Sequence, residues 1–131
     1  AEHTRRGLYI IVRRNFRFPL FETFDAPVHA VSCAARDVST VAPQALWLMN
    51  HQTPLEQAAQ FAARLEREAG ADPAARVARA WYLATGRPAT AAEHRDSLAL
   101  VEGLNEGEAP DASWTKFCLL QFNLPEFLFV D

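Results

Sequence analysis

Cysteine is scarce in this chain, and its spacing excludes two common cysteine-based sites. The 131 residues contain only two cysteines, Cys33 and Cys118, which form neither a CxxC pair nor the CxxCH motif that attaches haem covalently. The four histidines also lack the i, i+4 spacing of a helical metal-binding pair. We therefore expect no metal ion and no cofactor.

Lysine, long apolar runs and a signal-peptide pattern are missing as well. Lys116 is the only lysine, and the formal net charge of −3 is spread along the chain, which argues against a nucleic-acid partner. No stretch approaches the roughly 20 apolar residues that cross a bilayer, so we expect no membrane span. The chain begins with Ala1 rather than Met, which suggests a processed or excised piece.

The serines show no sign of a hydrolase site, and the composition is that of a globular protein. None of them lies in the G-x-S-x-G motif of a serine hydrolase. Half of the residues are hydrophobic and 22% are charged, and the length suits a single domain with a real core. We therefore treat residues 1–131 as one domain.

The chain divides into an extended segment, residues 1–42, and a helical part, residues 43–131. The first segment is rich in Phe and Pro and has no helical period, and its residues 8–12 form a short strand or a turn of helix. The fold class is therefore all-α: an irregular bundle of about five helices with the extended segment wrapped on it.

Helix boundaries in the second part are marked by capping residues, Pro and Gly. Thr53 and Glu56 predict one capping box, and Thr90 and Glu93 predict another. The remaining boundaries are predicted at Gly70, Asp72, Gly86, Gly107, Pro110 and Pro125.

The apolar stripes of these helices predict the core. The side chains that we expect to be buried are Leu55, Phe61, Leu65, Val77, Trp81, Leu98, Val101, Phe117 and Leu120. Trp47, Trp81 and Trp114 each lie on such a stripe, where core packing is favoured over a platform for sugar stacking.

Five segments occur in an order that resembles the C-terminal part of the planctomycete-type PSD1 (DUF1553) domain family. They are RRGLYIIVRRNF, FDAP, SCAARDVSTVAPQALWLMN, GRPATAAE and NLPEFLFVD, and the resemblance spans residues 5–131. Two departures stand out: Ala89 lies where the family tends to have Pro, and Pro125 lies where it tends to have Asn.

This resemblance implies a fragment of a larger exported protein of the periplasm or cell surface. Its partners would be upstream domains, among them a second uncharacterised domain (DUF1549) and often a c-type cytochrome domain, and a polysaccharide or cell-surface component is a further candidate. We expect a non-catalytic interaction or scaffold module. The alternative is part of an enzyme active site, or of a glycan- or anion-binding site, shared with the missing upstream region.

Polar side chains concentrate in one irregular segment, which is the best binding candidate in the sequence. They are Asp25, His29, Arg36, Asp37, Thr40 and Gln44. The structural alternative is that Asp and Arg pair to hold a long loop, while Thr40 caps the next helix. Because an exported protein meets an oxidising compartment, Cys33 and Cys118 are also candidates for a disulfide, the alternative being two separate buried thiols.

Overall fold

The described part of the chain is built from α-helices. A computed structural model describes residue 9 and residues 19–24, 42–107 and 109–128. Its helices are α1 (Pro19–Thr23), α2 (Ala42–Asn50), α3 (Gln52–Ala69), α4 (Pro73–Thr85), α5 (Ala91–Asn105), α6 (Pro110–Gln121) and α7 (Pro125–Leu128). No strand occurs in these ranges, and the all-α fold class is confirmed.

Contacts divide the chain into two compact units, Ala1–Gln44 and Ala45–Asp131. The first unit contains α1, which the expectation of a wholly extended segment omitted because five residues are too short to show a helical period. Of residues 8–12 only Tyr9 is described, and it lies in a 3₁₀ turn. The single-domain organisation stays a prediction.

The start of α3 differs from the predicted capping box. His51 is the N-cap, and its Nδ1 accepts a hydrogen bond from the backbone N–H of Thr53 at 3.3 Å. Thr53 therefore lies inside the helix and cannot cap it. The reason is that α2 ends at Asn50, so His51 is the single residue between the two helices. Its ring stacks on Trp47 with the centroids 4.6 Å apart.

The other helix ends follow the sequence closely. Asp72 caps α4 by accepting two backbone N–H groups of the first turn, and Thr90 and Glu93 form both bonds of the predicted capping box at the start of α5. Gly70 and Gly86 follow α3 and α4 with φ of 72° and 75°, values that glycine adopts without strain. These local predictions are confirmed.

The core of the second unit lies between α3, α4, α5 and α6. Leu65, Val77, Trp81, Val101 and Phe117 are buried as predicted. Phe61 and Leu98 are half-buried and pack against the edge of this core. Trp114 is buried too, which confirms core packing for two of the three tryptophans, whereas Trp47 is half-buried.

Two predicted core residues, Leu55 and Leu120, are each 40% exposed, so these predictions were wrong. In α3 the buried face begins one residue earlier, at Pro54. In α6 the polar residues Ser113 and Gln121 share the buried face, which rotates Leu120 towards solvent. A hydrophobic stripe gives no indication of this rotation, because it assumes that polar side chains avoid the core.

Candidate functional site

The predicted binding segment is described at one position only. Asp25, His29, Arg36, Asp37 and Thr40 lie outside the described residues. Gln44 lies in α2 rather than in an irregular loop, and it is buried. The binding role of this set stays a prediction.

Cys118 has the environment of a structural thiol. Its side chain is fully buried in α6, and burial raises the pKa of the thiol to about 12. Because the thiolate is the reactive form, such a group is a poor nucleophile at neutral pH. Cys118 forms no disulfide with any described residue; Cys33 is outside those residues, so the pairing stays a prediction.

Arg87, in the turn after α4, is the centre of an ion-pair cluster. Its Nη1 donates to Glu93 Oε2 at 2.9 Å and its Nη2 donates to Glu93 Oε1 at 2.8 Å, a bidentate contact with the first turn of α5. Nη2 also donates to Glu126 Oε1 of α7 at 2.8 Å. One guanidinium therefore links α4, α5 and α7.

The hydrogen bonds of this cluster favour the charged forms of its side chains. The hydrogen bonds from Arg87, and then that from the backbone N–H of Thr90, lower the pKa of Glu93 to about 2. The same carboxylate, followed by that of Glu126, raises the pKa of Arg87. A general acid or base needs a pKa near the operating pH. Arg87 and Glu93 are therefore better suited to a structural ion pair than to proton transfer.

A second ion-pair cluster joins α3 to α4. Arg64 Nε donates to Glu68 Oε1 at 2.6 Å, and Arg79 Nε donates to the other carboxylate oxygen at 2.9 Å. Both bonds lower the pKa of Glu68, and the bond from Arg64 has the larger effect. Glu68 is therefore shared between two cations.

Within the described ranges, no group of three His, Cys, Asp or Glu side chains could hold a metal ion. The Nε2–H of His94 donates instead to the carbonyl oxygen of Ala74, 3.0 Å away. That contact ties α5 to α4.

A groove of about 580 Å³ opens where α3 meets the end of α4 and the segment from α6 to α7. We call it the phenylalanine groove, because Phe61, Phe122 and Phe127 line it. The Phe61 and Phe122 ring centroids are 5.9 Å apart and those of Phe122 and Phe127 are 5.1 Å apart. Phe127 is 41% exposed, so the row of rings reaches solvent.

The polar lining of the phenylalanine groove comes from one face of α3. Gln57, Gln60, Arg64 and Arg67 follow one another at helical spacing along it. None of the described residues that line the groove is acidic. The sequence pattern does not indicate this site, because Phe122 and Phe127 lie about 60 positions from Phe61 along the chain.

None of the helices in the described ranges is long and apolar enough to cross a membrane.

A protein-family model matches most of the chain. The model of a family described as PSD1, protein of unknown function (DUF1553), matches residues 1–101. The match ends within α5, so the segment NLPEFLFVD lies beyond it. No curated protein and no solved structure matches the chain.

Proposed function

The chain belongs to the PSD1 (DUF1553) family of proteins of unknown function, and on that premise we propose that it is a non-catalytic interaction module of an exported multidomain bacterial protein. Its partner is the polypeptide that precedes it in the parent protein, in the periplasm or at the cell surface. The observation that carries the proposal is the phenylalanine groove, a solvent-reaching aromatic surface with a basic rim.

Two ionisable groups, Glu93 of α5 and Cys118 of α6, support a structural rather than a catalytic role. Glu93, with its pKa lowered to about 2, stays charged throughout the physiological range, and Cys118, with its pKa raised to about 12, stays protonated. General acid–base or nucleophilic catalysis requires a group that changes its protonation state near neutral pH. Glu93 instead links the turn after α4 to α5, and Cys118 is packed in the core.

The phenylalanine groove has the composition of a protein contact surface. Exposed aromatic side chains and Arg are enriched in the centres of protein–protein interfaces, where Lys and acidic residues are depleted. Phe127 and Arg67 are of these types, and both are exposed. Since α7 is held in place by Glu126 and Arg87, the aromatic wall is organised before a partner arrives.

The proposal is tested by isothermal titration of the chain with the separately expressed polypeptide encoded directly upstream in the same reading frame. We expect saturable binding of one partner per chain with a Kd on the order of 1 μM. The titration is repeated at a second temperature, because binding with an enthalpy near zero gives no calorimetric signal at the first. If no binding is detected at either temperature and the two polypeptides elute separately in gel filtration, the proposed interaction function is wrong.

A further inference from the structure

We propose that the phenylalanine groove binds an acidic peptide segment of a partner protein, which packs one large apolar side chain against the row of rings. This inference rests on the proposed interaction function and names the chemistry of the partner. It is carried by three independent features of the groove: its aromatic wall, its excess of positive charge and its unused amide groups.

The aromatic wall favours an apolar side chain packed against it. Phe61 and Phe122 are inclined by 17°, and Phe122 and Phe127 are inclined by 32°. The change of tilt makes the row an uneven apolar wall and not one flat platform, which suits a packed side chain better than the face of a sugar ring. The volume of about 580 Å³ lies within the roughly 300–1,000 Å³ of typical ligand pockets.

The charge of the groove favours a partner with carboxylates. Arg67 forms no ion pair with any described residue, and Arg64 shares its Glu68 with Arg79. Arg64 can therefore turn to a ligand while Arg79 continues to hold Glu68. In a chain of net charge −3, this basic patch is locally complementary to acidic side chains.

The amide groups favour a peptide over a simple anion. Gln57 and Gln60 are exposed beside the two arginines, and their side chains form no hydrogen bond within the described part of the chain. Each carboxamide offers both a donor and an acceptor, which matches the alternating N–H and C=O groups of an extended main chain. The groove can thus bind backbone, carboxylates and one apolar side chain together.

The test is a fluorescence anisotropy titration with a labelled peptide of sequence Glu-Asp-Phe-Leu-Glu-Asp. We expect saturable binding with a Kd between about 1 mM and 1 μM, weakened by added salt because exposed charges are screened. Phe127→Ala and Arg67→Glu should each weaken binding by about tenfold or more. Leu100→Ala is the matched control, because Leu100 is 40% exposed on α5, away from the groove, and it should bind as the wild type does.

Several outcomes would overturn the inference. They are no saturation at millimolar peptide, equal weakening in the Leu100→Ala control, or unchanged binding in Arg67→Glu and Phe127→Ala. Binding of oligogalacturonate but not of the peptide would assign the groove to an acidic glycan instead. Both groove positions are exposed, and circular dichroism verifies that each variant is folded.

The two proposals fail separately. If the upstream polypeptide binds and Phe127→Ala does not weaken that binding, the inference about the groove is wrong, whereas the proposed interaction function is supported. If the peptide binds but the upstream polypeptide does not, the groove is a peptide site and the assignment of its partner is wrong.

Discussion

The guanidinium carbon of Arg87 lies 5.3 Å from the centroid of the Trp81 ring. The same indole donates its Nε1–H to Ser97 Oγ at 3.0 Å, inside the core. Trp81 is therefore held by α5 at its edge and covered by a cation on its face. The contact connects the ion-pair cluster of Arg87 directly to the core of the second unit.

Arg87→Lys should lower the melting temperature by a few degrees, because an ammonium cannot reproduce the planar fork that holds Glu93 in a bidentate contact. Arg95→Lys is the matched control, since Arg95 pairs with Asp96 where both side chains are largely exposed. Thermal unfolding followed by circular dichroism measures both variants. Equal melting temperatures for the two would show that the Arg87 cluster does not stabilise the fold.

Acid should weaken the fold through Glu93. Its pKa is lowered from 4.5 to about 2 in the folded chain, so the stabilisation is fully present above pH 4.5 and is lost as the pH falls towards 2. The free energy of unfolding, measured with urea at several pH values, should fall less in Glu93→Gln than in the wild type over this pH window. If the free energy of unfolding falls equally with pH in the two proteins, Glu93 is not the cause of the acid sensitivity.

Gln121 is a polar residue that the core tolerates poorly. Its side-chain Oε1 is buried and accepts no hydrogen bond from the described residues. A buried acceptor without a donor costs about 1–3 kcal/mol, so Gln121→Met, which has a similar size, should raise the free energy of unfolding by about 1 kcal/mol. Gln121→Glu should lower it, since it buries a charge. Destabilisation by Gln121→Met would indicate that the amide is needed.

The thiol of Cys118 should resist modification while the reduced protein is folded. With a pKa of about 12, its thiolate fraction at pH 8 is on the order of one in ten thousand. In a Cys33→Ser background, a thiol reagent should therefore react slowly until urea unfolds the chain. Rapid labelling of the folded protein would show that Cys118 is accessible.

The disulfide predicted between Cys33 and Cys118 is tested on the same thiols. Denatured protein that has not been reduced should contain no free thiol if the bridge forms in the oxidising compartment. Two free thiols per chain would rule it out.

Most helix ends were predicted correctly from the sequence, because each depends on capping residues within a few positions of the helix terminus. Gly70, Asp72 and the Thr90–Glu93 capping box satisfy groups of their own helix terminus, and no distant contact is needed to place them. The exception, at Thr53, arose because the neighbouring helix ends one residue before His51.

Features that depend on distant residues could not be predicted in this way. The exposure of Leu55 and Leu120 depends on how α3 and α6 rotate against each other. The link between Arg87 and Glu126 joins residues 39 positions apart, and the phenylalanine groove joins α3 to α7. Without tertiary contacts, a sequence pattern does not specify which helix faces meet.

The proposed interaction function places the contact between the chain and its partner at the phenylalanine groove. The most direct measurement is the backbone amide NMR spectrum of the isotopically labelled chain during titration with the upstream polypeptide. We expect the shifted amide signals to cluster at Gln60, Arg64, Arg67 and Phe127. An unchanged spectrum, or shifts confined to the face of α5 around Leu100, would contradict it.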